Sequence, residues 1–267
     1  MQVRAGIFDS GVGGLTVAEA LHRLAPSLPI SYLADTAFFP YGNRTAEEVA
    51  DRALVLARTL IAGGATVIVV ACNTASSAAL ERLRAELTIP VVGMEPPVKP
   101  AVERSRSRTV AVLATIGTVS GARLARLTER HSGDATVTTI AMPGLADLVE
   151  AGETASERVR AMLSDALRGP VAEGVDQVAL GCTHYGFLRP TLAALLPASV
   201  EVLDAAEPVA RRVLTVMAEV GQGVPAGPPQ EVLCYATGDA DPFEATIQRL
   251  RDGGAALPPL RVLRPVA

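Results

Sequence analysis

Short apolar runs alternate along the chain with longer stretches in which apolar positions recur every three or four residues. The short runs predict strands at Val3–Phe8, Ile30–Ala34, Thr66–Ala71, Pro90–Gly93, Thr109–Ala114, Val137–Ala141, Gln177–Leu180, Val200–Leu203, Glu231–Tyr235 and Leu260–Arg264. Several, such as Val67-Ile68-Val69-Val70, are apolar at every position, as strands covered on both faces are. Between them, Val49, Ala53, Leu56 and Leu60 fall on one helical face. So do Val159, Met162, Leu163 and Ala166, and later Val209, Val213, Val216 and Val220. Strands alternating with helices predict βαβ units, an α/β fold with mostly parallel sheets.

Glu95–Pro100 carries three prolines and reads as a loop crossing between two domains. An echo fits that division. Val67–Ala75 and Val178–Gly186 both read apolar strand, cysteine, then small polar residues opening a helix. Two similar α/β domains, each offering one cysteine, explain the echo; so does coincidence.

Composition narrows the picture. At 267 residues, 49% hydrophobic and 19% charged, the chain has ample material for a core and no disorder signature. Aromatics are 3% with no Trp, so the core must be aliphatic. A net charge of -4 and a pI near 5.5 argue against nucleic acid or an anionic membrane as partner. No apolar stretch is long enough to span a bilayer, and Met1-Gln2-Val3-Arg4 does not read as a signal peptide. Three widely spaced cysteines make no disulfide framework, which predicts a reduced, cytoplasmic protein. Lys99 is the sole lysine among 24 basic residues and sits in the proline-rich run. A Schiff-base enzyme needs a buried lysine, so pyridoxal phosphate chemistry is not expected.

Candidate chemistry lies at three strand-to-helix junctions. Asp9-Ser10-Gly11-Val12-Gly13-Gly14-Leu15 follows a strand and opens a helix, where free N–H groups favour an anion. Its glycine spacing fits no nucleotide fingerprint, and a plain βα turn explains it too. In Ala71-Cys72-Asn73-Thr74-Ala75-Ser76, the thiol ends a strand and precedes a helix, a placement that lowers its pKa. A structural buried cysteine is the competing reading. Leu180-Gly181-Cys182-Thr183-His184-Tyr185 is the same kind of junction with a histidine added. Zinc on Cys72, Cys182 and His184 is a rival, but no ligand spacing supports it, so no metal is expected. His22 and His131 lie in helical patterns and read as surface residues. Cys234 reads as core, Glu150 alone as a surface carboxylate, and Tyr41 as a turn residue with its hydroxyl facing a cleft.

These motifs together resemble the glutamate racemases of the aspartate/glutamate racemase family. The resemblance rests on Asp9-Ser10-Gly11-x-Gly13-Gly14-Leu15, Pro40-Tyr41-Gly42, Ala71-Cys72-Asn73-Thr74-Ala75 and Gly181-Cys182-Thr183-His184, in the family's order and spacing. Thr115 and Thr118, Leu148-Val149-Glu150 and Asp204-Ala205-Ala206-Glu207 match more weakly. The threonine loop departs from the family's T-x-x-T-x-x-S by one residue, which puts Ser120 in doubt.

The resemblance implies two α/β domains, residues 1–95 plus 208–267 carrying Cys72 and residues 96–207 carrying Cys182, with the site in the cleft between them. It implies cofactor-independent interconversion of L- and D-glutamate, feeding D-glutamate to peptidoglycan synthesis, and a possible homodimer. Cys72 would serve the D face and Cys182 the L face. Asp9 would support Cys72; His184, with Glu150 near it, would support Cys182. Asp9, Ser10, Tyr41, Gly42, Asn73, Thr74, Thr115, Thr118 and Thr183 would bind substrate. Alternatives are aspartate racemase or another two-cysteine racemase, a thiol redox or zinc module, and a regulator of the kind that inhibits DNA gyrase.

Overall fold

A computed structural model describes residues 3–264 of the chain. Met1 and Gln2, part of the leader reading, and residues 265–267, the end of the expected first domain, lie outside the described residues.

Among the described residues, ten strands form where the apolar runs predict them: β1 (Ala5–Asp9), β2 (Ile30–Ala34), β3 (Val67–Val70), β4 (Val91–Val92), β5 (Thr109–Ala114), β6 (Thr136–Ala141), β7 (Gln177–Gly181), β8 (Glu201–Leu203), β9 (Val232–Ala236) and β10 (Leu260–Val262). They build two sheets, one in the order β10-β9-β2-β1-β3-β4 and one in the order β6-β5-β7-β8. Every pairing among the described strands is parallel. The expected α/β class with two parallel sheets is therefore what the chain adopts. β1, β2, β3 and β7 are buried at every position, which is why they read as unbroken apolar runs. β6 is a sheet edge with threonines at 136, 138 and 139, and only part of it is covered.

Parallel neighbours need a crossover, and helices supply it. They are α1 (Leu15–Leu24), α2 (Ala46–Ala62), α3 (Asn73–Glu86), α4 (Val98–Arg104), α5 (Ile116–Val119), α6 (Ala122–His131), α7 (Leu145–Glu150), α8 (Glu157–Ala172), α9 (Arg189–Leu195), α10 (Ala206–Glu219) and α11 (Ala240–Asp252). α2 starts at a capping box: Thr45 Oγ1 accepts from Glu48 N–H while the Glu48 carboxylate accepts from Thr45 N–H. Its face of Val49, Ala53, Leu56 and Leu60 is buried as the periodicity predicts.

Three expectations need correction. Glu95–Pro100 is not loop throughout, because α4 begins at Val98. Pro97 caps that helix and Pro100 lies in its first turn, where N–H groups have no partner within the helix and proline is tolerated. Lys99 is thus on an exposed helical turn. Val220 does not extend the buried stripe of α10; the helix ends at Glu219, Gly221 turns at φ 73°, and Val220 is 51% exposed. The core is mostly aliphatic, yet Phe8, Tyr32, Tyr41 and Tyr185 are among its largest fully buried side chains.

The carboxyl ends of β1 and β3 in one sheet and of β5 and β7 in the other bring Ser10, Cys72, Thr115 and Cys182 to a single cleft. Open α/β sheets place their ligands at this end.

Candidate active site

Two buried strands each end on a cysteine. Cys72 follows β3 and caps α3 with φ/ψ of -144°/125°. Cys182 follows β7 and caps the 3-10 turn Thr183–Leu188 with φ/ψ of -145°/135°. The repeated backbone geometry gives the echo in the sequence a structural counterpart. Both thiols are free and buried, as is Cys234. Cys72 and Cys182 line one cleft.

Ser10, Tyr41, Gly42, Asn73, Thr74, Thr115, Thr183 and His184 line the same cleft. Asp9, Thr118 and Glu150 stand behind that wall. Thr118 does so as part of a hydroxyl cluster: Thr74 Oγ1 is 3.1 Å from Thr115 Oγ1 and 3.3 Å from Thr118 Oγ1, and the latter two are 3.1 Å apart. Asn73 lines the cleft with both amide atoms buried and without a protein partner. Buried polar atoms are rarely left so, and a donor beside an acceptor suits a zwitterionic ligand.

The glycine-rich loop does bind anions, and they are the protein's own. Asp9 is completely buried at the end of β1. Its carboxylate accepts from Ser10 N–H at 2.7 Å, Gly14 N–H at 2.6 Å and the Thr183 hydroxyl at 3.0 Å. Val12 N–H donates to Glu150 Oε2 at 2.9 Å. A Cβ on Gly11 would lie 2.1 Å from that same oxygen, and one on Gly13 would lie 2.4 Å from His184 Nδ1. The glycines are required for close approach to the carboxylate and the imidazole.

Burial raises the Asp9 pKa above the usual carboxylate value, against the opposing pull of His184 and the Ser10 N–H. The lowered pKa expected for Cys72 at a helix start is not realised. Burial pushes its thiol well up and the Asp9 charge adds to that, outweighing the Ala75 N–H that favours thiolate.

Around Cys182 the arrangement differs. Its Sγ lies 3.8 Å from His184 Nδ1, and His184 Nε2 lies 2.8 Å from Glu150 Oε2. Burial alone would pull the imidazole down, but the contacts with Cys182 and Glu150 win, and its pKa sits well above 6.5. Glu150 is no ordinary surface carboxylate: its side chain is 17% exposed and pinned between His184 and Val12. Phe39 packs against the imidazole with ring centroids 5.7 Å apart.

Tyr41 corrects another expectation. Its ring borders the cleft, but its hydroxyl points away and donates to Asp35 Oδ2 at 2.7 Å. Asp35 is fully buried and also accepts from Arg52 Nε and Nη2, at 2.8 and 2.5 Å, and from the Thr237 hydroxyl at 2.7 Å. The aromatic ring shields this network, and burial and Asp35 together hold the phenol protonated. Ser120 is exposed at the end of α5, outside the cleft lining. His22 is not a simple surface residue, since its Nε2 is buried without a partner. Asp204 and Glu207 bind arginines and the start of α10 instead of the cleft. Sequence reasoning named Pro40 and Gly181 only as parts of motifs and gave no site role to Phe39 or Ala146 in the lining, or to Asp35 with Arg52 behind it. Among the described residues, no group of three or more His, Cys, Asp or Glu side chains is placed to hold a metal ion, and no helix is long and apolar enough to cross a membrane.

Comparison with known proteins agrees with this geometry. Residues 15–213 match the family described as Asp/Glu/Hydantoin racemase. Glutamate racemase of Pseudomonas syringae pv. tomato is 41% identical over 239 residues, covering 89% of this chain and 86% of that protein. The structure of glutamate racemase isoform RacE1 from Bacillus anthracis superposes with a TM-score of 0.85 at 29% identity, covering 98% of each chain. Escherichia coli glutamate racemase, solved with L-glutamate and the activator UDP-MurNAc-Ala, superposes with a TM-score of 0.83 at 27% identity, covering 99% of each chain. The chain therefore belongs to the Asp/Glu/Hydantoin racemase family and is an amino-acid racemase, an isomerase.

Proposed function

We propose that the chain interconverts L- and D-glutamate without a cofactor, using Cys182 and Cys72 as bases on opposite faces of the α-carbon. The observation that carries this reading is the pair of thiols on one cleft, each at the end of a buried strand and each with its own electrostatic partner.

Inversion needs one group to take a proton and another to give one. With L-glutamate, the Cys182 thiolate removes the α-hydrogen. Its sulfur gains the proton, and the C–H electron pair stays on the substrate, spread into the adjacent carboxyl group. The Cys72 thiol then gives its proton to the opposite face, leaving D-glutamate and a Cys72 thiolate. The reverse reaction runs the same steps backwards. The surroundings suit the forward direction: burial and Asp9 keep Cys72 a thiol able to give a proton, and the His184 imidazole, held well above its ordinary pKa, stands 3.8 Å from the Cys182 sulfur.

Ser10, Asn73, Thr74, Thr183 and the Tyr41-Gly42 backbone would hold the substrate's charged ends, with Thr115 and Thr118 behind Thr74. Residues 1–95 with 208–267 and residues 96–207 form the two halves that close on it. Supply of D-glutamate to cytoplasmic peptidoglycan synthesis follows from this activity. Escherichia coli glutamate racemase was solved with L-glutamate, which supports the choice of substrate.

Circular dichroism of D-glutamate incubated with metal-free, pyridoxal-free protein tests the reading. The signal should decay to zero, and D-aspartate should stay unchanged. An unchanged glutamate signal, or decay of aspartate alone, would overturn it.

A further inference from the structure

Glu150 is the last residue of a six-residue helix, α7, whose terminal carbonyls have no partner within the helix. The Glu150 carbonyl and that of Ala151, which caps the helix, are met from α11. The Thr246 hydroxyl donates to the Glu150 carbonyl at 2.9 Å, and Arg249 Nε donates to the Ala151 carbonyl at 2.9 Å. Arg249 Nη2 also donates to Thr246 Oγ1 at 2.9 Å, so the two act together. Thr246 and Arg249 belong to α11, which follows β9 of the six-stranded sheet, whereas α7 follows β6 of the four-stranded sheet. The end of α7 is thus held by the other half of the molecule. A cation there also suits the negative end of the helix.

The chain is shaped to admit this contact. Gly152 turns at φ 83°, and a Cβ on it would lie 2.7 Å from Arg249 Cβ and 2.8 Å from its Nε. The Glu150 backbone is fixed by α11, and its carboxylate reaches His184 Nε2 and Val12 N–H. Asp9, the partner of Cys72, is held by its own loop and by Thr183 from the other half, and among the described residues it accepts no hydrogen bond from α11.

We infer that Thr246 and Arg249 are positioning residues for the Cys182 half of the reaction, acting through Glu150 and His184 from across the domain junction. The inference rests on the two-base reading above. It goes further in making the two proton transfers unequal in what they depend on: the Cys182 step needs α11 docked on α7, and the Cys72 step does not. Because L- and D-glutamate are equal in energy, a variant must lower kcat/KM equally in both directions. Only a measurement that separates the two steps reveals the asymmetry.

The test uses Thr246→Val, Thr246→Ser, Arg249→Gln and wild type with α-deuterated L- and D-glutamate. Thr246→Val and Arg249→Gln should lower kcat/KM roughly tenfold. The isotope effect should rise with L-glutamate, where slowed removal by Cys182 now limits, and fall with D-glutamate. Thr246→Ser keeps the donor and should stay within twofold of wild type. Arg249 is exposed, so Arg249→Gln keeps the test decisive if Thr246→Val does not fold. Folded variants with wild-type kinetics, or slowed ones with both isotope effects unchanged, would overturn the positioning role. Wild-type protein that does not racemise glutamate would instead overturn the two-base reading beneath it.

Discussion

The Glu150 carboxylate and the Val12 N–H, 138 positions apart, meet at 2.9 Å with only glycine fitting beside them. This contact ties the first βα loop to the histidine beside Cys182. It makes Gly11→Ala informative. The new methyl would displace the Glu150 carboxylate, a flexible group at the end of its side chain, so the fold should survive. The displaced carboxylate must leave His184, losing a charge-assisted bond of about 1.5–3 kcal/mol. Racemisation should fall roughly 10- to 100-fold, with far-UV circular dichroism unchanged. Wild-type rates from a folded Gly11→Ala would show that Glu150 does not serve the reaction.

Behind the cleft, Asp35 and Arg52 should matter more for stability and substrate affinity than for the chemical step. Arg52→Ala leaves a fully buried carboxylate without its counter-charge, which costs about 3 kcal/mol or more, less whatever water reaches it past the half-exposed arginine. Tyr41→Phe removes one bond to Asp35 and should cost about 1 kcal/mol. KM should rise in both, because the Pro40–Gly42 turn loses its anchor. Urea titrations and a double-mutant cycle with Asp35→Asn measure the coupling. Strictly additive effects would mean the network does not act as a unit.

These residues also show where the sequence is readable. Strands buried on both faces must be apolar throughout, so β1, β2, β3 and β7 stand out as runs, while the ends of β1, β3 and β7, like the start of β6, differ from those runs by one or two residues. Cys72 and Cys182 are legible because strand, thiol and helix start are local in sequence. Glu150 is not, since its environment comes from Val12 and His184 rather than from its own helix. Asp35 carried a usable signal: like Asp9, it stands where a parallel strand ends. Arg52 carried none, being one arginine among many on an amphipathic helix. The Tyr41 hydroxyl was misplaced because nothing local says which side of a turn a phenol faces.

The high pKa of His184 has a consequence for stability. A group that holds its proton more tightly when folded stabilises the protein fully below its unfolded pKa, about 6.5, and loses that contribution as pH rises through the folded value. The stability difference between wild type and His184→Asn should therefore be greatest in mild acid and shrink as pH rises. Cys72, raised by burial, also loses stability upward in pH, but it is present in both proteins. Urea midpoints from about pH 5.5 to 9.5 would follow the difference. A gap that widens with pH would mean that folded His184 is neutral, and that Glu150 and Cys182 do not hold a proton between them.

The assignment of faces to the two thiols is open to direct test. Replacing Cys72 or Cys182 by Ala removes one base and leaves the other. Racemisation should fall roughly 10²–10⁴-fold in either variant. The surviving thiol can still remove and return a proton on its own side, so exchange of the α-hydrogen with deuterated solvent should persist for one enantiomer. Cys72→Ala should exchange L-glutamate, and Cys182→Ala should exchange D-glutamate. The slower of the two should be Cys182→Ala, because burial and Asp9 disfavour the Cys72 thiolate, while Cys72→Ala retains the His184–Glu150 pair. Proton NMR of each enantiomer with each variant in heavy water reads all four combinations. Swapped preferences would keep the two-base mechanism and reverse the faces. Exchange of both enantiomers by one variant would show a base other than the remaining cysteine, with His184, 3.8 Å from Cys182 Sγ, the group to replace next.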